Sequence, residues 1–195
     1  MVDEALRFQK KIIDNMEKKN YFCPLTKEEF LTPILGRDNV YFLTVKNKII
    51  GLFVATCDID NILTEYQIEN KNVLLIDSIM IKEEYRGNGF QRKILNFLFE
   101  RAKQLNVEGL IATVHPNNKY SLNNFLLEEY KIINEINIHQ GMRYLLYKEV
   151  KWYKKYKNTY RNIHIIYIII IFFTFTYNRF SRPSWYTSIR NINYW

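Results

Sequence analysis

A chain of 195 residues that is 48% hydrophobic can build one folded domain and is not a disordered polymer, while two cysteines exclude a disulfide scaffold. The excess of 28 Lys+Arg over 20 Asp+Glu would suit a nucleic acid or an acidic membrane if it were spread over that domain. Residues 1–150, however, hold 20 of each sign, and residues 151–195 hold eight Lys+Arg with no Asp or Glu, so the chain divides near Val150.

The first twenty residues are charged throughout and contain no apolar signal core, which predicts a cytoplasmic domain. Residues 3–19 place Leu6, Ile12, Ile13 and Met16 at helical spacing. Thr26 and Glu29 have the form of a capping box opening a short helix to about Leu31, closed by Pro33 and Gly36. Val40–Val45 and Ile49–Cys57 read as a hairpin about Lys46-Asn47-Lys48. Asp58–Asn72 is polar and irregular. Val73–Ile81 (VLLIDSIMI) predicts a strand buried on both faces. From Gln91 to about Asn106 the stripe Ile94, Leu95, Leu98, Ala102 and Leu105 predicts an amphipathic helix. A strand over Gly109–Val114, a break at His115-Pro116-Asn117-Asn118, a helix over Ser121–Glu129 and strands over Lys131–Ile138 and Met142–Val150 complete a mixed α/β order. His139 reads as a turn residue, and Cys23 and Cys57 as reduced packing residues.

The strongest local signal is Arg86-Gly87-Asn88-Gly89-Phe90-Gln91-Arg92, between the buried strand and the amphipathic helix. Unpaired N–H groups and the helix dipole make such a junction an anion site, and glycine lets a phosphate approach the backbone. Arg86, Arg92 and Lys93 add positive charge there. No Gly-Lys-Ser/Thr follows, so this is not a P-loop. Arg92 stands where a dinucleotide fingerprint needs its third glycine.

This loop, with Ile79–Tyr85 before it, Val114-His115-Pro116-Asn117-Asn118-x-x-Ser121-Leu122-Asn123-Asn124-Phe125 after it and Arg143–Lys148 near the end, resembles the GCN5-related N-acetyltransferase (GNAT) family over about residues 40–150. Gln91 replaces the small residue of that family's Arg/Gln-x-x-Gly-x-Gly/Ala pattern. The resemblance implies an acyl-CoA N-acyltransferase fold: a mixed central sheet with splayed parallel strands, flanked by helices, here followed by an extra C-terminal tail. It implies acetyl transfer from acetyl-CoA to a primary amine on a small molecule or peptide, without nucleic acid, and admits a homodimer. The backbone of Ile79, Met80 and Ile81 would hold the pantetheine arm. The amides of Gly87, Asn88, Gly89, Phe90 and Gln91 would hold the pyrophosphate, and Asn118 and Ser121 would lie near the thioester.

The position of the family's usual Tyr acid is Phe125, which has no proton to give. A thiolate with a pKa near 8.5 is a fair leaving group without one. Asp77, among apolar neighbours, is a candidate base or else a hydrogen-bonded or edge-facing carboxylate; His115 is a candidate base or substrate contact, or else a strand stop. No His/Cys cluster has metal-ligand spacing. Acceptor choice is expected from the early helices and from Asp58–Asn72.

In the tail, KWYKKYKNTYR precedes IHIIYIIIIFFTFTY. Fifteen helical residues span about 22 Å against a bilayer core of about 30 Å, which is marginal for an anchor. Nine Ile, seven Tyr and four Phe with no Ala, Leu, Val or Gly are the residues of AT-rich codons, as translation out of frame would give. Besides an enzyme, the sequence admits a non-catalytic acyl-CoA-binding module and a tail-anchored membrane protein.

Overall fold

The computed structural model describes residues 2–31, 39–57, 66, 72–139, 141–151 and 189–191. In chain order these form α1 (Val2–Asp14), a 3-10 turn (Lys19–Tyr21), α2 (Lys27–Leu31), β1 (Asn39–Val45), β2 (Lys48–Thr56), β3 (Val73–Ile81), a second 3-10 turn (Glu83–Tyr85), α3 (Phe90–Gln104), β4 (Gly109–Val114), α4 (Lys119–Leu127), β5 (Lys131–Ile138), β6 (Gly141–Glu149) and β7 (Ile189–Asn191). The strands make one sheet in the order β5-β6-β4-β3-β2-β1-β7. Only β3 and β4 run parallel; every other neighbouring pair is antiparallel.

Each face of the sheet carries its own core. On one, Ile94, Leu95 and Leu98 of α3 and Phe125 of α4 pack on Ile50, Phe53, Leu74, Ile76, Leu110 and Ala112. This is the stripe expected from the sequence. On the other, Ala5, Phe8 and Ile12 of α1 pack on Phe42, Leu52, Val54 and Met80, and farther along Val73, Leu75, Ile111 and Leu145 cluster with Ile136 and Ile138.

Local chemistry explains several boundaries. The β1–β2 hairpin turns on Lys46 and Asn47, both at positive φ (47° and 61°), a pair that matches the twist of the strands. The capping box forms as expected: Glu29 N–H donates to Thr26 Oγ1 (3.2 Å) and Thr26 N–H to Glu29 Oε2 (2.6 Å). Thr26→Ala is expected to cost about 1 kcal/mol, read as a lower midpoint in urea unfolding with an unchanged slope.

Three expectations are corrected. Helix α1 ends at Asp14, not 19, and its buried face is Ala5, Phe8, Gln9 and Ile12. Gln9 is buried because its amide clamps the backbone of Leu25, donating to the carbonyl at 2.8 Å and accepting from the N–H at 2.9 Å. Strand β3 is continuously buried only from Val73 to Ile76; Asp77 is exposed, and beyond it buried and half-buried residues alternate. Cys23 is exposed rather than packed, whereas Cys57 does pack against the α3-side core.

Pro33, Gly36 and, apart from Tyr66 and Asn72, the segment 58–72 lie outside the described residues, as does the tail apart from Lys151 and β7. The readings of the tail as an anchor or an out-of-frame segment therefore fall there. Among the described residues, no helix is long and apolar enough to cross a membrane.

Candidate active site

The site is built by a failure of strand pairing. β3 and β4 are in register from Val73↔Gly109 to Ile76↔Ala112, and there the ladder ends. Both strands continue: β4 stays paired with β6 as far as Val114↔Tyr144, and β3 stays paired with β2 as far as Ile81↔Gly51. The strands have splayed, and among the described residues no strand pairs with the β4-facing edge of residues 78–81.

The cause is visible one residue past the split. β2 pairs Val54 with Ser78 but Ala55 with Ile76, so Asp77 is an extra residue on β3. Such a bulge bends its strand and re-aims the following side chains. Before it, Leu74 and Ile76 face α3; after it, Ile79 and Ile81 do. Met80 joins the α1-side core.

An open cleft lies at the split. One wall is Ile76, Asp77, Ser78 and Ile79 of β3, with Thr113 and Val114 of β4 and Gln91, Asn118, Ser121 and Phe125 beyond them. The facing wall is Tyr21, Phe22, Cys23, Pro24 and Leu25, with Glu29, Tyr66, His139 and Arg143. That second wall is pinned at both ends. Gln9 holds Leu25, and Arg143 donates from Nη1 to the Tyr21 carbonyl (3.3 Å) and from Nη2 to the Asn20 carbonyl (2.9 Å).

The glycine loop lies where the sequence placed it. Gly87 and Gly89 have φ of 76° and 71°, the left-handed region, and Gly89 is the N-cap of α3. Lys93 N–H reaches the Gly89 carbonyl (3.1 Å), leaving the amides of Phe90, Gln91 and Arg92 without an intrahelical acceptor. Asn88 folds back to donate to the carbonyls of Tyr85 (3.2 Å) and Arg86 (3.0 Å), which holds the turn.

The loop's side chains are more occupied than the sequence suggested. Arg86 Nε donates to the Ile81 carbonyl (3.2 Å), capping the end of the unpaired edge. Arg92 pairs with the nearly buried Glu128 (2.6 Å), so its charge is largely neutralised. Gln91 turns sideways onto α4: its Nε2 donates to Ser121 Oγ (3.0 Å) and its Oε1 accepts from Asn124 (2.9 Å). The bulk that replaces a small residue thus ties two helices together and leaves the front of the loop open. Asn118 is the N-cap of α4, accepting from Ser121 N–H (3.3 Å).

Of the two candidate bases, Asp77 lines the cleft and His115 does not. His115 packs on Tyr21, ring centroids 4.6 Å apart, and its Nδ1 accepts from Asn117 N–H (3.1 Å). Partial burial, then the charge of Arg143, lowers its pKa from the usual imidazole value, and its Nδ1 lone pair is engaged by Asn117. His139 occupies the β5–β6 turn at φ 50°, as expected, and also borders the cleft.

Phe125 is buried with its ring edge-on to Tyr130, centroids 5.0 Å apart. The Tyr130 hydroxyl is itself buried without a hydrogen-bond partner among the described residues, and burial raises its pKa far above the usual tyrosine value. Tyr130 does not line the cleft. The thiol of Cys23, which sequence reasoning left out of the site, is held up first by desolvation, then by the Asp77 and Glu29 carboxylates, while Arg143 pulls it down. Among the described residues no group of three His, Cys, Asp or Glu side chains is arranged to hold a metal ion.

The sequence pattern of the acetyltransferase (GNAT) family matches residues 10–126. Similar solved structures include an N-acetyltransferase from Staphylococcus aureus Mu50 (TM-score 0.59, 17% identity, 77% of this chain and 93% of that one). Another is the ribosomal-protein-S18-alanine N-acetyltransferase from Escherichia coli (0.58, 11%, 79% and 90%). A third is a chain of the NatC complex bound to Gag peptide and CoA (0.55, 14%, 73% and 88%). At these identities the likeness shows the fold. A search of curated proteins finds no match.

Proposed function

This chain belongs to the acetyltransferase (GNAT) family, whose chemistry is acyl transfer, and we propose that residues 1–150 move the acetyl group of acetyl-CoA to a primary amine by direct attack, in the cytoplasm. The observation that carries the reading is the end of the β3–β4 ladder at Ile76↔Ala112 with the glycine loop at the far end of β3. An extended amide-bearing chain can pair with the free edge at Ile79–Ile81, as a peptide adds to a sheet edge. Its diphosphate would meet the amides of Gly87, Asn88, Gly89, Phe90 and Gln91 at the start of α3. Arg86 and Lys93 supply positive charge at that end, and Asn118 and Ser121 flank the reacting end.

In the reaction the amine nitrogen attacks the thioester carbonyl. A C–N bond forms, the C–S bond breaks and its electron pair leaves on the CoA sulfur. The amine's proton goes by way of water to Asp77, which lines the cleft beside the split. His115 is the weaker base because Asn117 occupies its lone pair. Phe125 stands at the position of the family's usual tyrosine acid. The sulfur departs as a thiolate of pKa near 8.5.

The test is release of free CoA thiol on incubation with acetyl-CoA and a panel of amines. Amine-dependent thiol release supports the enzyme. Phe125 favours one alternative, a non-catalytic acyl-CoA-binding module, which would bind acetyl-CoA yet release nothing with any amine.

A further inference from the structure

The cleft lining contains a buried cation with no ion-pair partner among the described residues. Arg143 is 5% exposed, and no described carboxylate pairs with it. Two of its five N–H donors hold the carbonyls of Asn20 and Tyr21; its Nε is buried with no hydrogen-bond partner among the described residues. Ser78, which also lines the cleft and is also 5% exposed, has a buried hydroxyl with no hydrogen-bond partner among the described residues. A buried unpaired guanidinium is costly, and so is each orphaned donor. Both residues line the same cleft, and the Nη groups of Arg143 keep donors beyond the two that hold the carbonyls.

We propose, building on the acetyltransfer reading, that Arg143 binds a carboxylate of the acceptor, so that the preferred acceptors are small amines that carry a carboxylate, free amino acids being the simplest. The planar guanidinium matches a carboxylate in shape as well as charge, which an ammonium group would not. Asp77 and Glu29 border the same cleft and attract the amine end. The site therefore offers opposite charges to the two ends of one molecule. Both signs reach Cys23, whose thiol the two carboxylates push up and Arg143 pulls down. The Arg143 charge also reaches His115.

The experiment compares α-amino acids, their primary carboxamides and dipeptides as acceptors for the full chain, following CoA release. Expected is a kcat/KM for the amino acids roughly 100-fold above that of the matching carboxamides, because a site built for a charged group is left unpaired without it. In Arg143→Gln that ratio should fall to about threefold or less, with the KM for acetyl-CoA unchanged; a merely structural role would lower both acceptors together. Arg143→Lys should keep part of the preference. Turnover of dipeptides alone, still dependent on their carboxylate, would assign the anion to a peptide C-terminus. Carboxamides acetylated as well as their acids by the wild-type chain would overturn the proposal without any variant, and would leave acetyltransfer standing. Acetyl-CoA binding with no acceptor turned over would instead remove the acetyltransfer reading itself.

Discussion

Replacing Gly89 by Trp is expected to weaken acetyl-CoA binding by about 100-fold or more in calorimetric titration, while Gly89→Ala weakens it by less than about tenfold. The two variants share one cost. Gly89 sits at φ 71°, where any side chain is strained by about 1–2 kcal/mol. They differ in what they place before the loop. A Cβ added at Gly89 meets no atom within 4 Å, so the fold tolerates the bulk and an indole would occupy the open space in front of the α3 amides. The Asn88 and Gln91 side chains are turned away into contacts of their own, leaving that space to a ligand. Comparable melting temperatures for the two variants, with very different affinities, are the expected pattern. Equal affinities would place the diphosphate elsewhere.

The second large effect is on turnover. Asp77→Asn is expected to lower kcat by about 100-fold or more, the low end of what a positioned base contributes. The KM for acetyl-CoA should stay within about twofold, since the isosteric amide preserves the bulge. His115→Ala should change kcat by less than about threefold, because the imidazole lone pair is spent on Asn117 and the ring lies against Tyr21, outside the cleft. The reverse ranking would move the base from the bulge to the end of β4.

Much of this was readable from local chemistry. The α3 stripe, the Thr26–Glu29 box, the Lys46-Asn47 turn and the glycine junction each depend on residues close in sequence, and each lies where the sequence put it. What escaped depends on distant partners. Nothing around Gln9 announces that its amide will clamp Leu25, sixteen positions away. Arg143 looked like one more residue of a closing strand, yet it reaches the backbone at Asn20 and Tyr21 and ends up buried in the cleft wall. The polar residue that interrupts VLLIDSIMI was a visible signal. Its meaning, an extra residue that reverses which side chains face α3, exists only in the register with β2. Cys23 followed from none of these patterns, because its place is set by the segment that Gln9 and Arg143 jointly hold.

The proposed acetyl transfer requires acyl-CoA to occupy the gap between β3 and β4. Calorimetric titration of acetyl-CoA into the full chain tests that most directly. One site per chain with a Kd of about 100 µM or tighter, about −5.5 kcal/mol or better, is the predicted result. No heat of binding and no protection of the chain from thermal unfolding at 1 mM acetyl-CoA, about tenfold above that Kd, would contradict it.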